Sequence, residues 1–282
     1  MQSLAEIADD LAAGRTTSRA LTEAALARID DPAGEGARAF IKVYHEAALE
    51  CAKASDQARA HGIVPSPLAG IPVSIKDLCD VAGEVTLAGS SVRQDAEAAT
   101  KDAPAVARLR AAGAVITGRT NMVEFAMGAP GTNAHYGTPK NAWDRATGRI
   151  PGGSSSGAAV SVTDGMAAAA LGTDTAGSVR IPAALCGLAG FKPTARRVPT
   201  EGIYPLSRTL DSVGPLAPTV ACCALVDAVF AGAAPPELTP RPLQGLRLAV
   251  PKYLVFDDVD DTVGAAFQAA LSKLSAAGAR IT

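Results

Sequence analysis

The pattern of apolar and polar positions changes character about a quarter of the way along this chain. Residues 3–30 carry apolar positions at helical spacing, interrupted by Gly14-Arg-Thr-Thr-Ser18. They predict two helices, the second capped by Thr17 or Ser18. Residues 46–60 predict a third helix. From Leu68 onward, short apolar runs over 71–76, 114–117 and 167–172 read as strands. They alternate with helical stretches over 102–112, 156–164 and 221–231, which predicts an α/β fold with one continuous sheet covered on both faces. The proline-rich stretch 234–242 marks a connection, followed by a strand over 246–250 and a helix at about 260–276.

In the run Leu68-Ala-Gly-Ile-Pro-Val-Ser-Ile-Lys76-Asp77, Ile71, Val73 and Ile75 fall on one face and Pro72, Ser74 and Lys76 on the other. A lysine closing an uncharged strand is either a surface terminus or a buried amine, and composition alone favours the surface. Burial would change its chemistry, because desolvation disfavours the ammonium and moves the amine toward the range where it accepts protons.

Composition narrows the class. The 282 residues are 48% hydrophobic with a net charge of −2, enough to bury a large core and without the basic bias that nucleic acid requires. No stretch of about 18 apolar residues suggests a membrane span. The start Met1-Gln-Ser-Leu-Ala-Glu lacks a secretory pattern. The five cysteines are odd in number and without metal-type spacing, so a reducing cytoplasm is the expected home and no metal or other cofactor is expected. Cys186, with no charge or histidine nearby in sequence, reads as a buried structural thiol rather than a nucleophile.

Two serine-bearing turns carry the candidate chemistry: Pro151-Gly-Gly-Ser154-Ser-Ser-Gly157 and Gly172-Thr-Asp-Thr-Ala-Gly-Ser178-Val-Arg180. Each lies beside predicted regular structure, so the hydroxyls are presented on exposed backbone, which points to acyl transfer. A serine nucleophile needs a base. The three histidines are poor candidates: His45 and His61 end a polar helical stretch, and His135 lies in a loop. Lys76 is the alternative.

The ordered segments Gly70-Ile-Pro-Val-Ser-Ile-Lys76-Asp77, Gly118-Arg-Thr-Asn-Met-Val-Glu-Phe125, Pro151-Gly-Gly-Ser154-Ser155, Gly172-Thr-Asp174-Thr-Ala-Gly-Ser178-Val-Arg180-Ile-Pro182 and Leu188-Ala-Gly-Phe-Lys-Pro193-Thr194 resemble the amidase signature family. Similarity continues more weakly from Gly14 to Pro215. The resemblance implies a mixed, twisted central sheet and a Ser-cisSer-Lys triad. In it Ser178 is the nucleophile, Ser154 the bridging serine after a cis peptide bond, and Lys76 the base. The separation of the two serines, 178 − 154 = 24 positions, agrees with the family spacing and favours Ser154 over Ser155 and Ser156.

Backbone N–H groups of Thr175, Ala176, Gly177 and Ser178 are the expected oxyanion donors. Ser155, Asp174 and Arg180 are expected to support the site. Ala126, Met127 and Gly128 are expected to line the acyl side, with core packing the equal alternative. Ala176 departs from the family's usual glycine and would be a liability if that position needed positive φ.

The implied activity is hydrolysis of a carboxamide C–N bond, with a small-molecule amide as substrate. The rival is the glutamine-hydrolysing subunit of a tRNA-dependent amidotransferase, whose motif has glutamine where this chain has Ile181 and Ser212. The expected organisation is a single domain: N-terminal helices over 1–65, the signature core over 66–220, and the start of a C-terminal part over 221–282. Family members continue further, so a truncated, non-catalytic fragment is a third expectation, with a homodimer or a complementing C-terminal polypeptide as partner.

Overall fold

The computed structural model describes residues 1–251 and 255–282. Two compact units emerge, Met1–Pro236 and Glu237–Thr282. The break lies after the helix over 220–231, which falls in the first unit.

The first unit opens with α1 (Leu4–Ala12), α2 (Ser18–Asp30) and a single turn, α3 (Gly36–Ala39). Ser3 and Glu6 form a capping box on α1, and Thr17 caps α2, as its side chain accepts from the Ala20 N–H. Strand β1 (Phe40–Val43) precedes α4 (His45–Ala60). Next come β2 (Pro72–Lys76), α5 (Pro104–Ala111), β3 (Val115–Thr120), α6 (Ser156–Thr163), β4 (Ala169–Asp174) and α7 (Arg180–Leu185). Strands β5 (Ala189–Gly190) and β6 (Ser212–Ala217) and helix α8 (Val220–Ala231) complete it.

The six strands form one mixed sheet in the order β1-β3-β2-β4-β6-β5. β2 runs parallel to β3 and β4, while β1, β5 and β6 pair antiparallel to their neighbours. Every residue of β2, β3 and β4 is buried, as expected for strands covered on both faces. On one face Leu4, Ile7 and Leu11 of α1, Leu109 of α5 and Phe230 of α8 join Val73 and Ile75. On the other, Leu26 and Ile29 of α2 pack with Ala158, Ala159 and Val162 of α6.

Strands β1, β5 and β6 escape the apolar pattern. β5 is two residues long, and β6 contains Gly214 and Pro215, both poor strand formers, yet it pairs with β4 from Ser212 to Leu216.

The second unit holds β7 (Arg247–Leu248), α9 (Asp261–Ala276) and β8 (Arg280–Ile281), with β7 and β8 parallel. Asp260 caps α9 by accepting from the Thr262 N–H. Among the described residues, no helix is long and apolar enough to cross a membrane.

Candidate active site

The surface reading of Lys76 is overturned: the residue is 0% exposed. It closes β2 between β3 and β4, where neighbouring backbone screens it from water. Nζ donates to Ser154 Oγ at 2.8 Å and to Thr173 Oγ1 at 2.9 Å. Burial pulls its pKa down to about 7, against a smaller upward pull from Cys79, Asp174 and Asp211. A substantial fraction of the amine is therefore neutral near pH 7.

Ser154 reaches the amine through a tight turn between β3 and α6. The Gly153–Ser154 peptide bond is cis, and Gly152 sits at φ +78°, in the left-handed region that favours glycine. Neighbouring backbone holds the turn on both sides. Gly152 and Gly153 N–H groups donate to the carbonyls of Pro130 and Ala129, and the Val123 N–H donates to the Ser154 carbonyl.

Ser178 occupies the turn between β4 and α7 and is 9% exposed, the most open of the three. Its carbonyl accepts from the Ser155 N–H at 3.3 Å, which ties the two serine turns together. Among the described residues its Oγ makes no hydrogen bond, so the two turns are joined by the backbone of Ser155 rather than by a bond between the Ser154 and Ser178 hydroxyls. Ser155 Oγ donates to the Thr173 carbonyl at 3.4 Å.

Asp174 shapes the Ser178 turn. Its carboxylate accepts from the N–H groups of Gly177, Val179 and Arg180, and from Arg180 Nε and Nη2 at 2.9 Å each. Burial pushes this carboxyl up, but the Arg180 guanidinium and the backbone donors outweigh it and hold the pKa below the usual range.

The Gly177 N–H is thereby occupied, so of the four expected oxyanion donors it is already spent on the turn. Those of Thr175, Ala176 and Ser178 have no protein acceptor among the described residues. Gly177 is the position with positive φ, at +139°, whereas Ala176 is exposed and lies outside that region. The feared methyl liability at Ala176 therefore does not arise from the backbone.

Residues 126–128 follow a 3-10 turn over Glu124–Ala126 and lead directly into the Ala129–Pro130 segment that holds the glycine turn. They divide in character. Ala126 belongs to the core, Met127 is 75% exposed, and Gly128 is half-buried against Val123.

Among the described residues no histidine is hydrogen-bonded to Lys76, Ser154 or Ser178, and Cys186 Sγ donates to the Pro151 carbonyl at the start of the glycine turn. His45 pairs with Asp30 and His135 with Glu124, both at exposed positions. His61 ends α4. Burial pushes the Cys186 thiol up to about 12, which suits a structural role.

Two contributors escaped the sequence reading. Thr173 is the second acceptor of the amine. Its signal lies only in strand register, because Ile75 pairs with Leu171 and the end of β2 therefore runs beside Gly172 and Thr173. Arg119 is the other, a buried cation on β3.

The amidase family profile matches residues 20–282. A glutamyl-tRNA(Gln) amidotransferase subunit of Chloroflexus aggregans is 42% identical over 96% of this chain and 57% of its own length. 2-amino-5-chloromuconic acid deaminase of Comamonas testosteroni is 45% identical over 83% of this chain and 51% of its own. A crystal structure of an amidase superposes with a TM-score of 0.89 at 38% identity, covering 99% of this chain and 62% of its own. The chain thus spans between half and two-thirds of the length of these relatives.

Proposed function

Because this chain belongs to the amidase family, we propose that it hydrolyses a carboxamide C–N bond to a carboxylate and ammonia or an amine, through a Ser178 acyl-enzyme. The observation that carries this reading is the buried Lys76 amine, hydrogen-bonded to Ser154 with its pKa drawn down to about 7.

Neutral Lys76 takes the proton of Ser154 Oγ, which takes the proton of Ser178 Oγ as that oxygen bonds to the amide carbon. Small rotations of the two hydroxyls complete the relay when substrate is present. The N–H groups of Thr175, Ala176 and Ser178 are the available donors to the oxyanion, and losing one such donor costs about 3 kcal/mol of barrier. The C–N bond then breaks as the relay returns a proton to the leaving nitrogen. Water, deprotonated through the same relay, attacks the ester carbon, and the proton returns to Ser178 Oγ as the acid departs.

A fluorophosphonate probe tests the assignment. Label is expected on Ser178 and none in Lys76→Ala; label on another residue would refute it. The working base is neutral Lys76, so protonation below its pKa silences it. The labelling rate is expected to fall about tenfold per pH unit below about pH 7 and to level off above it.

A glutamine-hydrolysing amidotransferase component is the second reading, favoured by the 42% identity to the Chloroflexus aggregans protein. Ile181 and Ser212 in place of the expected glutamines weigh against it. Preferential release of ammonia from glutamine in the presence of charged tRNA would reverse the ranking. The substrate is a small-molecule amide. The candidate partner is a second copy or a complementing C-terminal polypeptide, supported by relatives that are named as subunits. A cytoplasmic home is supported by the five unpaired thiols.

A further inference from the structure

Lys76 is followed at once by a second buried ionisable residue that the relay leaves idle. Asp77 Oδ1 accepts from Arg119 Nε at 2.9 Å, and its Oδ2 accepts from the Gly89 N–H at 3.0 Å. Arg119 lies opposite Ile75 in the β2–β3 register. Its Nη2 donates to the Asp77 and Cys79 carbonyls at 2.9 Å each, and its Nη1 reaches Glu84 Oε2 at 3.4 Å. One guanidinium therefore grips the carboxylate and two carbonyls within three residues of the amine.

We propose that Arg119 and Asp77 form a positioning pair for Lys76: the guanidinium fork fixes the turn from Asp77 to Cys79, and the two charges cancel at the foot of the amine. The proposal rests on the reading of Lys76 as the base.

A long, flexible side chain meets two hydroxyls only if its backbone anchor stays put, and a planar fork can hold several acceptors in fixed relation where a point charge cannot. The carboxylate also needs its partner. A lone buried anion one residue away would favour the ammonium form of Lys76, and a lone buried cation would disfavour it. The groups that act on Lys76 in the intact protein are Asp174 at the end of β4, Asp211 ahead of β6 and the Cys79 thiol. Around the pair stand Glu84, Tyr44 and Lys42, with Tyr44 and Lys42 both bound to Glu84.

Two measurements separate geometry from charge. The first is the 13C NMR titration of the Lys76 Cε resonance in lysine-labelled protein, assigned by its loss in Lys76→Arg. The second is the rate at which a fluorophosphonate labels Ser178. The near-isosteric Asp77→Asn leaves an unpaired cation, so its Lys76 midpoint is expected to fall by about half a pH unit or more. Arg119→Lys keeps the charge and loses the fork, so the midpoint should stay within about 0.3 pH units while labelling slows about tenfold. The double variant Asp77→Asn/Arg119→Gln should return the midpoint close to wild type.

An Asp77→Asn midpoint that is unmoved or raised overturns the pair, as does an Arg119→Lys protein that labels at the wild-type rate. A merely structural role would lower the melting temperature without moving the midpoint. Should the Arg119 variants fail to fold, Asp77→Asn decides alone. Wild-type protein that never labels at Ser178 would refute the hydrolase reading, while the NMR titration would still judge the pair.

Discussion

Two aspartate–arginine pairs stand beside the candidate site, one next to Lys76 and one next to Ser178, and they differ mainly in their access to water. The Arg119 side chain is 2% exposed and its partner Asp77 0%. The Arg180 side chain is 53% exposed, while its partner Asp174 is also 0%. Buried and half-buried pairs obey different energetics. Deep in the sheet, each charge depends on the other because nothing else can solvate it. At the turn, the arginine has water as an alternative, and the carboxylate is held by three backbone N–H groups besides the guanidinium. The first pair anchors a strand end, and the second shapes a loop.

The strongest way to break this comparison is to remove the buried cation. Arg119→Met strands the Asp77 carboxylate and leaves the Cys79 carbonyl without its donor, while the Asp77 carbonyl keeps the Ala88 N–H, so a loss of about 3–5 kcal/mol is expected. Urea unfolding should report it as a fall in midpoint at unchanged slope. A loss below 1 kcal/mol would mean that water or another donor reaches Asp77, and the contrast between the pairs would collapse.

Asp174→Ala comes next. The Gly177, Val179 and Arg180 N–H groups lose their shared acceptor at once. An unsatisfied buried donor costs about 1–3 kcal/mol, but Arg180 opens to solvent, so about 2–3 kcal/mol in total is expected. The Ser178 turn should loosen with it, and fluorophosphonate labelling should fall at least tenfold even where the protein remains folded. Labelling at the wild-type rate in a folded Asp174→Ala protein would show that the turn holds its shape by glycine geometry alone.

The two pairs also mark where sequence reading succeeds and where it stops. Strands β2 and β4 and most of the helices were legible because burial on both faces leaves a continuous apolar run between turn signals. Strand β6 was not, since Gly214 and Pro215 mask it, and its place beside β4 depends on pairing that no local pattern records. The two serine turns could be read from their glycines. The burial of Lys76 could not, because the residues flanking it along the chain do not reveal whether other strands cover it. Arg119 had a signal that went unused: the one charged residue in the strand segment Val115–Thr120, matched by an anion just after Lys76. Opposite charges at the ends of two candidate parallel strands are a reason to pair those strands. Thr173 offered nothing beyond its place in the motif.

The smallest expected effect sharpens the comparison from the other side. Arg180→Ala removes a guanidinium that donates twice to Asp174, yet the carboxylate keeps three backbone donors. An arginine this exposed regains much of its hydration in the absence of its partner, so the stability loss should stay below about 1 kcal/mol. Salt should reduce the wild-type advantage further, because the exposed side of the pair is open to screening. Paired urea titrations of wild type and Arg180→Ala at low and high ionic strength measure both quantities. A loss approaching that of Arg119→Met, insensitive to salt, would place Arg180 in the same energetic class as the buried pair. The shape of the Ser178 turn would then depend on the ion pair rather than on the carboxylate's grip on its own backbone.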